Sequence, residues 1–286
     1  MIYNFRPGST LAATKYFPKT TAYLKAIEIF TRRYYTVFVR RNTVMNTIEI
    51  NNLTKKYKDI TAVNNLSFAA KQGELIALLG VNGAGKTTTV KMLSCLIKPT
   101  SGDASIMGFS ITNEPEKVKE VINISPQESA IAPNLTVTEN LEFTARIYGY
   151  SRSDCKKAVA DIIERMSLQN VRNKKSKILS GGYARRLSIA MAVITKPKVL
   201  FLDEPTLGLD VIARRELWSI IEDVKQSGTV ILTTHYMEEA EHLADRIAIM
   251  SHGCLKALGT ASQLKAQSGA ETLEDAFIKT ASSADR

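Results

Sequence analysis

Cysteine is scarce: Cys95, Cys155 and Cys254 are the only three, odd in number and far apart. They make no CxxC pair, so neither a disulfide framework nor a thiolate zinc site is suggested, and a reducing compartment is the natural setting. Histidine is equally thin. His235, His242 and His252 have no metal-ligand spacing, and the last two read as surface residues. No apolar run reaches the roughly 20 residues that a membrane-crossing helix needs, so a membrane process would require another chain for its membrane part. No long internal repeat is visible, so a solenoid or propeller is not suggested. Acid is nearly missing from one stretch: residues 1–44 carry eight basic residues against the single acid Glu28, which puts +7 of the net +10 there and leaves +3 for the rest. The high isoelectric point is therefore a property of this leader, and a nucleic-acid or membrane-surface reading rests on the leader alone. Three readings of it stay open: a flexible basic extension, an organellar presequence, or upstream sequence ahead of a start at Met45. The third is preferred, because "MNTIEINNLTKKY" looks like a natural beginning, and residues 1–44 are expected to be poorly ordered.

What is present is ordinary globular text. The 286 residues, 44% hydrophobic and 23% charged, suffice for one large α/β domain or two modest ones. "TIEINNLTKKY" and "AVNNLSFAA" carry half-buried strand patterning, whereas "GELIALLG" is a continuous apolar run, as in a strand buried on both faces. A loop over residues 80–85 follows, then a helix from Lys86 that Pro99 is predicted to end. Residues 136–195 read mainly as helices. Thr136 and Glu139 have capping-box spacing. Val159, Ile162, Ile163 and Met166 recur at helical spacing, as do Leu187, Ala190, Met191 and Ile194. After them come the strand "KVLFLDEP", a helix face of Leu217, Ile220, Ile221 and Val224, the strand "TVILTTH", a helix through "MEEAEHLADR", and a hairpin turning at His252–Gly253. Such alternation implies a mainly parallel sheet covered by helices, with the helical stretch inserted into it.

The chemistry sits at the ends of those strands. Gly80, Val81, Asn82, Gly83, Ala84, Gly85, Lys86 and Thr87 form a full GxxxxGK[ST] between a predicted strand and a predicted helix, with Thr88 next. Glycines let backbone amides close around phosphate oxygens, the helix N-terminus adds its positive end, Lys86 supplies a point charge and the Thr87 hydroxyl suits Mg²⁺. The strand "KVLFLDEP" ends in Asp203 and Glu204; the first can hold a Mg²⁺ shell and the second can activate water. Ser180, Gly181 and Gly182 precede another helix and describe a second phosphate cradle.

Taken together and in this order, these motifs resemble the ATP-binding-cassette (ABC) ATPases from about Ile48 to Phe277. The resemblance implies an α/β P-loop NTPase core with a mainly parallel sheet, an N-terminal antiparallel β subdomain and a helical subdomain over about 128–195. The ATPase domain would span 45–265, with a tail at 266–286. It implies ATP and Mg²⁺ as ligands, Glu204 as the catalytic glutamate, His235 as the switch histidine and Gln127 as the glutamine that touches Mg²⁺. Asp203 and Thr87 would be the other metal ligands. Tyr57 would stack on adenine, Asp210 would cross a dimer interface, and Ser180–Gly182 would complete the partner's nucleotide site. Two positions depart from the pattern: Tyr183 stands where Gln is usual and Val81 where Pro is frequent.

"SGGYARRLSIA", "GLDVIARRELW", "TTHYMEEAEHLADRIAIM" and "LEDAFIK" resemble the ATPase subunits of ABC-2-type exporters. The implied partners are a second ATPase subunit, identical or not, and a separate transmembrane permease, with no nucleic acid; the implied place is the cytoplasmic face of the inner membrane. The rival is a non-transport ABC ATPase of the translation or DNA-repair type. The first carries two cassettes per chain and the second splits its cassette with coiled coils or a zinc hook, and neither pattern is present.

Overall fold

The computed structural model describes residues 46–128 and 130–282; the leader of 1–44 lies outside the described residues. Two strands open the described chain, β1 (Asn46–Tyr57) and β2 (Ile60–Lys71), paired antiparallel around a turn at Lys58–Asp59. Their alternation buries Ile48, Ile50 and Leu53 on one strand and Val63, Leu66 and Phe68 on the other. β4 (Ser101–Ile106) pairs with β1 and β5 (Phe109–Ser110) with β4, completing a four-stranded antiparallel sheet. Residues 100–121 show no clear period in the sequence, because β4 is short and polar on its exposed face.

The second sheet has six strands in the order β10-β9-β3-β8-β7-β6. β3 (Leu75–Leu79), β6 (Ile122–Ser125), β7 (Val199–Asp203), β8 (Thr229–Thr234) and β9 (Arg246–Ser251) run parallel, and β10 (Cys254–Gly259) closes an antiparallel hairpin on β9. Every residue of β3 is buried: Leu75, Ala77 and Leu79 belong to one core, Ile76 and Leu78 to the other. The second core includes side chains of α1 (Lys86–Leu93) and of the antiparallel sheet. Between β5 and β6 lies α2 (Pro115–Val121). The first core is closed by α3 (Val137–Ile147), α4 (Arg152–Arg165), α5 (Gly181–Val193), α6 (Val211–Lys225), α7 (Met237–Leu243), α8 (Ala261–Ser268) and α9 (Leu273–Ser282). Within residues 266–286, Leu273 and Phe277 of α9 join that same core.

Two helix boundaries differ from the sequence expectation. α1 stops at Leu93, well before Pro99: Cys95 takes a left-handed φ of 57°, its N–H bonds Met92 O, and the Leu96 N–H reaches back to Lys91 O. That is the closure of a Schellman-type end, so the proline is not the breaker. α7 ends at Leu243, because Asp245 and Arg246 are drawn into the sheet, where the Asp245 carboxylate accepts the Leu75 N–H at 2.8 Å. The capping box is present: the Thr136 hydroxyl accepts the Glu139 N–H at 3.2 Å and the Glu139 carboxylate accepts the Thr136 N–H at 2.7 Å. The Thr136 N–H and hydroxyl, both donating to the Glu139 carboxylate, hold it below the usual carboxylate range.

Candidate active site

Four parallel strands finish at one edge of the six-stranded sheet, and a chemically significant residue follows each: Gly80 after β3, Gln127 after β6, Glu204 after β7 and His235 after β8. The carboxyl ends of parallel strands are where open α/β sheets bind ligands. Here the edge opens into a cleft of about 740 Å³ lined by Asn82, Gly83, Ala84, Gly85, Lys86, Thr87, Thr88, Gln127, Glu204 and His235, together with Ile60, Thr61, Ala62, Leu207 and His252. That volume suits a nucleotide-sized molecule.

Two glycines of the loop are dictated by close approach. At Gly80 a Cβ would lie 2.6 Å from Met250 O; at Gly85, where φ is 97°, it would lie 2.5 Å from Ala62 O. Only glycine fits either place. Val81 is 57% exposed and outside the cleft lining, so a proline there would add nothing to phosphate contact.

Lys86 opens α1 and is 5% exposed. Its ammonium donates to Gly80 O at 2.7 Å and Val81 O at 3.3 Å, and lies 3.2 Å from Glu204 Oε1. The other Glu204 oxygen, Oε2, is 2.8 Å from His235 Nδ1. Glu204 is thus held between a lysine and a histidine, almost buried, with a left-handed φ of 48°. Such a backbone costs a non-glycine residue about 1–2 kcal/mol, and strain of this kind gathers at functional sites. Its N–H bonds both the hydroxyl and the carbonyl oxygen of Thr233, which locks the conformation. Asp203 is fixed alongside: Thr87 Oγ1 donates to its Oδ1 at 3.0 Å and Thr233 Oγ1 to the same atom at 2.5 Å.

The donor set fits Mg²⁺. Hydroxyl and carboxylate oxygens are the hard ligands it prefers, and one or two protein oxygens beside substrate phosphates are its usual complement. Among the described residues no group of three His, Cys, Asp or Glu side chains could cage a metal alone. Gln127 is exposed and lines the same cleft as Thr87.

Other predicted residues lie apart. Tyr57, 44% exposed at the end of β1, carries Lys55 Nζ 5.1 Å from its ring centre and is outside the cleft lining, where Ile60, Thr61 and Ala62 stand instead. Ser180, Gly181, Gly182 and Asp210 also lie outside the cleft. Ser180 caps α5 and Asp210 caps α6 through its Oδ1 on the Ala213 N–H at 2.9 Å. Neither Gly181 nor Gly182 has a positive φ. A Cβ on Gly181 would approach only Leu209 Cδ2 at 3.9 Å, and one on Gly182 only Ala213 Cβ at 3.5 Å, ordinary contacts both. Nothing inside the described chain requires these glycines. Tyr183 packs on the core with the Arg186 guanidinium 5.5 Å from its ring, and Arg186 pairs with Glu216 of α6.

Sequence reading missed several residues. His252, taken as plain surface, lines the cleft from the β9–β10 turn. Thr233 carried no expectation, yet its hydroxyl donates to Asp203 Oδ1 and accepts the Glu204 N–H. Arg185 of α5 carried no expectation and is buried. Glu239 of α7 is fully buried, its Oε1 accepting from Trp218 Nε1 at 3.2 Å, and burial pushes its carboxyl up. Only a helical-wheel comparison of both faces of α5 and α7 could have flagged the last two.

A phosphate-binding loop at a strand end, an acid pair on the neighbouring strand and a histidine on the next define a P-loop nucleoside triphosphatase. The family model described as "ABC transporter" matches residues 63–207. The chain is 43% identical over 227 residues to the human phospholipid-transporting ATPase ABCA3, covering 78% of this chain and 13% of that protein. It is 40% identical over 227 residues to the daunorubicin/doxorubicin resistance ATP-binding protein DrrA of Streptomyces peucetius, covering 79% of this chain and 69% of that one. A solved ATP-binding subunit of an ABC transporter superposes with a TM-score of 0.74 at 28% identity, over 82% of this chain and 99% of that one. A dimeric ATP-binding cassette in a post-hydrolysis state with ADP and Pi superposes with a TM-score of 0.68 at 26% identity, over 74% and 98% of the two chains. The chain belongs to the ABC transporter family, as an ATP-binding protein.

Proposed function

We propose that the chain is the ATP-hydrolysing subunit of an exporter, closing as a head-to-tail pair around two ATP molecules with Mg²⁺ and driving a separate membrane-spanning subunit. The observation that carries this reading is Glu204 pinned between Lys86 and His235 beside the Thr87–Asp203 pair. In this reading the loop amides and Lys86 hold the phosphates, and Glu204 takes a proton from the attacking water. His235 orients Glu204 and faces the terminal phosphate. Thr87, Asp203 and Gln127 would hold Mg²⁺, which when bound neutralises developing phosphate charge. Thr88 adds a hydroxyl to the cradle, and Tyr57, outside the lining but paired in register with Ile60, would stack on adenine. The spare glycines at 181 and 182 support the paired arrangement: each costs the helix start something and is explained by a phosphate approaching from another subunit.

For the membrane partner, α3 turns Phe143, 57% exposed, and Ile147, 65% exposed, to solvent, with Tyr148 just beyond. A cytoplasmic segment of the membrane subunit would cover them. No described helix is long and apolar enough to cross a membrane. Drug or lipid cargo is the direction in which the named relatives point. The chain, co-expressed with an adjacent gene product bearing membrane spans, should sediment with membranes and crosslink to it from residues 128–150. Sedimentation of the fragment starting at Met45 with lipid alone would contradict this, as would crosslinks confined to other faces. ATP turnover that persists in excess EDTA would refute the metal's part.

A further inference from the structure

Arg185 sits in the second turn of α5, only 6% exposed. Its guanidinium has no side-chain partner among the described residues. It donates to four main-chain carbonyl oxygens: Nη1 to Pro126 O at 2.6 Å and Gln127 O at 3.2 Å, Nη2 to Asp203 O at 2.5 Å, and Nε to Pro205 O at 2.8 Å. Those carbonyls bracket two residues of the site, since Pro126 and Gln127 carry the glutamine and Asp203 and Pro205 flank Glu204. One turn further along α5, Ser188 Oγ lies 2.9 Å from Ser125 Oγ of β6, so the same helix face is fastened twice.

This is an expensive way to pack a helix. Burial draws the guanidinium's pKa down while the carboxylates of Asp203, Glu239 and Glu204 oppose that shift. Neutral dipoles repay the desolvation of a charge poorly, and an apolar side chain would fill the space at lower cost. What an apolar side chain cannot do is hold two separate turns at once. A planar fork with five N–H donors can. Five residues upstream on the same rigid helix begins the loop of Ser180, Gly181 and Gly182, about 7 Å away along the axis.

We propose that Arg185 is a positioning residue that ties the Ser180–Gly182 loop to Gln127 and Glu204 of its own subunit, so that this loop's grip on the partner's ATP sets the geometry over the subunit's own ATP. The inference rests on the paired arrangement given above. When the partner's nucleotide draws the start of α5, the fork carries both catalytic turns with it, and each site is ready only when the other is filled.

The test uses Arg185→Met and Arg185→Lys in the full chain, with four readouts: melting temperature, binding of a fluorescent ATP analogue, ATP-driven pairing in a Glu204→Gln background, and the ATP dependence of hydrolysis. Arg185→Met should keep nucleotide affinity within about twofold and still pair. Its kcat should fall about 10²-fold, the scale of a misplaced catalytic group. The Hill coefficient should drop from near its two-site limit of about 2 toward 1. Arg185→Lys, which keeps the charge but spans fewer carbonyls, should recover part of kcat and little of the Hill coefficient. Unchanged kcat and Hill coefficient in Arg185→Met would overturn the proposal. So would losses of kcat, affinity and melting temperature in proportion, the mark of a structural role alone. If Arg185→Met does not fold, Arg185→Lys decides: a parental Hill coefficient refutes the coupling. A parent that hydrolyses ATP with a Hill coefficient of 1, and whose Glu204→Gln form never pairs, would bring down the paired arrangement itself, a different failure from the others.

Discussion

Replacing both Gly181 and Gly182 by alanine should make the protein more stable and nearly inactive. Both glycines start α5 without a positive φ, and their added methyl groups would meet Leu209 at 3.9 Å and Ala213 at 3.5 Å, without overlap. Gly→Ala at a compatible site stabilises by about 0.4–1 kcal/mol, mostly through the unfolded chain. The pair should therefore add about 1–2 kcal/mol. A domain of this size gains about 2–4 °C per kcal/mol, so the melting temperature should rise by about 2–8 °C. Turnover moves the other way. If two amide–phosphate hydrogen bonds to the partner's ATP are lost, at about 1.5–3 kcal/mol each, hydrolysis falls by roughly 10² to 10⁴. Thermal melts and steady-state hydrolysis on the same preparation measure both. A double variant with parental turnover would refute the cross-subunit cradle, and a lower melting temperature would refute the steric reasoning.

Other substitutions probe single features. Asp203→Asn removes the charge that collects the Thr87 and Thr233 hydroxyls. The Mg²⁺ concentration for half-maximal hydrolysis should rise at least about tenfold, and an unchanged titration would take Asp203 out of the metal shell. Glu239→Gln keeps the Trp218 bond and removes a carboxyl whose pKa burial raises. A folded-state pKa above the unfolded value means stability is full below about pH 4.3 and declines as pH rises toward the folded pKa. The variant's stability should therefore gain on the parent's as pH rises and then level off, and a widening deficit in urea titrations would contradict this. Thr136→Ala deletes the cap on α3 and should cost about 0.5–2 kcal/mol, measured by denaturant unfolding with hydrolysis retained. A loss of turnover without loss of stability would mean that Thr136 acts elsewhere.

What could be read in the sequence was whatever depends on local pattern. β3 was legible because five consecutive apolar residues closed off by Gly73 and Gly80 fit a strand covered on both faces. The loop at 80–87 was legible because close approach forces glycine at Gly80 and Gly85. β4 and β5 were not, since a short strand pairing with β1 borrows its stability from a distant partner. Arg185 was invisible for a related reason: its acceptors are carbonyls about 20 and 60 residues away in sequence, and a carbonyl has no sequence signature. His252 reached the cleft only through the β9–β10 turn, where it and Gly253 have φ of 49° and 75°. Tyr57, singled out for its aromatic ring, stands outside the cleft lining, where β2 supplies Ile60, Thr61 and Ala62.

In the proposed mechanism Glu204, gripped by Lys86 and His235, is the base that activates water for ATP hydrolysis. Glu204→Gln keeps the shape of the side chain and loses the basic carboxylate. Hydrolysis and subunit association should be followed together at saturating ATP and Mg²⁺. Turnover should fall by roughly 10² or more, with ATP still bound and a stable ATP-filled pair accumulating, which Lys86→Ala never forms. Hydrolysis at the parental rate in Glu204→Gln would contradict it.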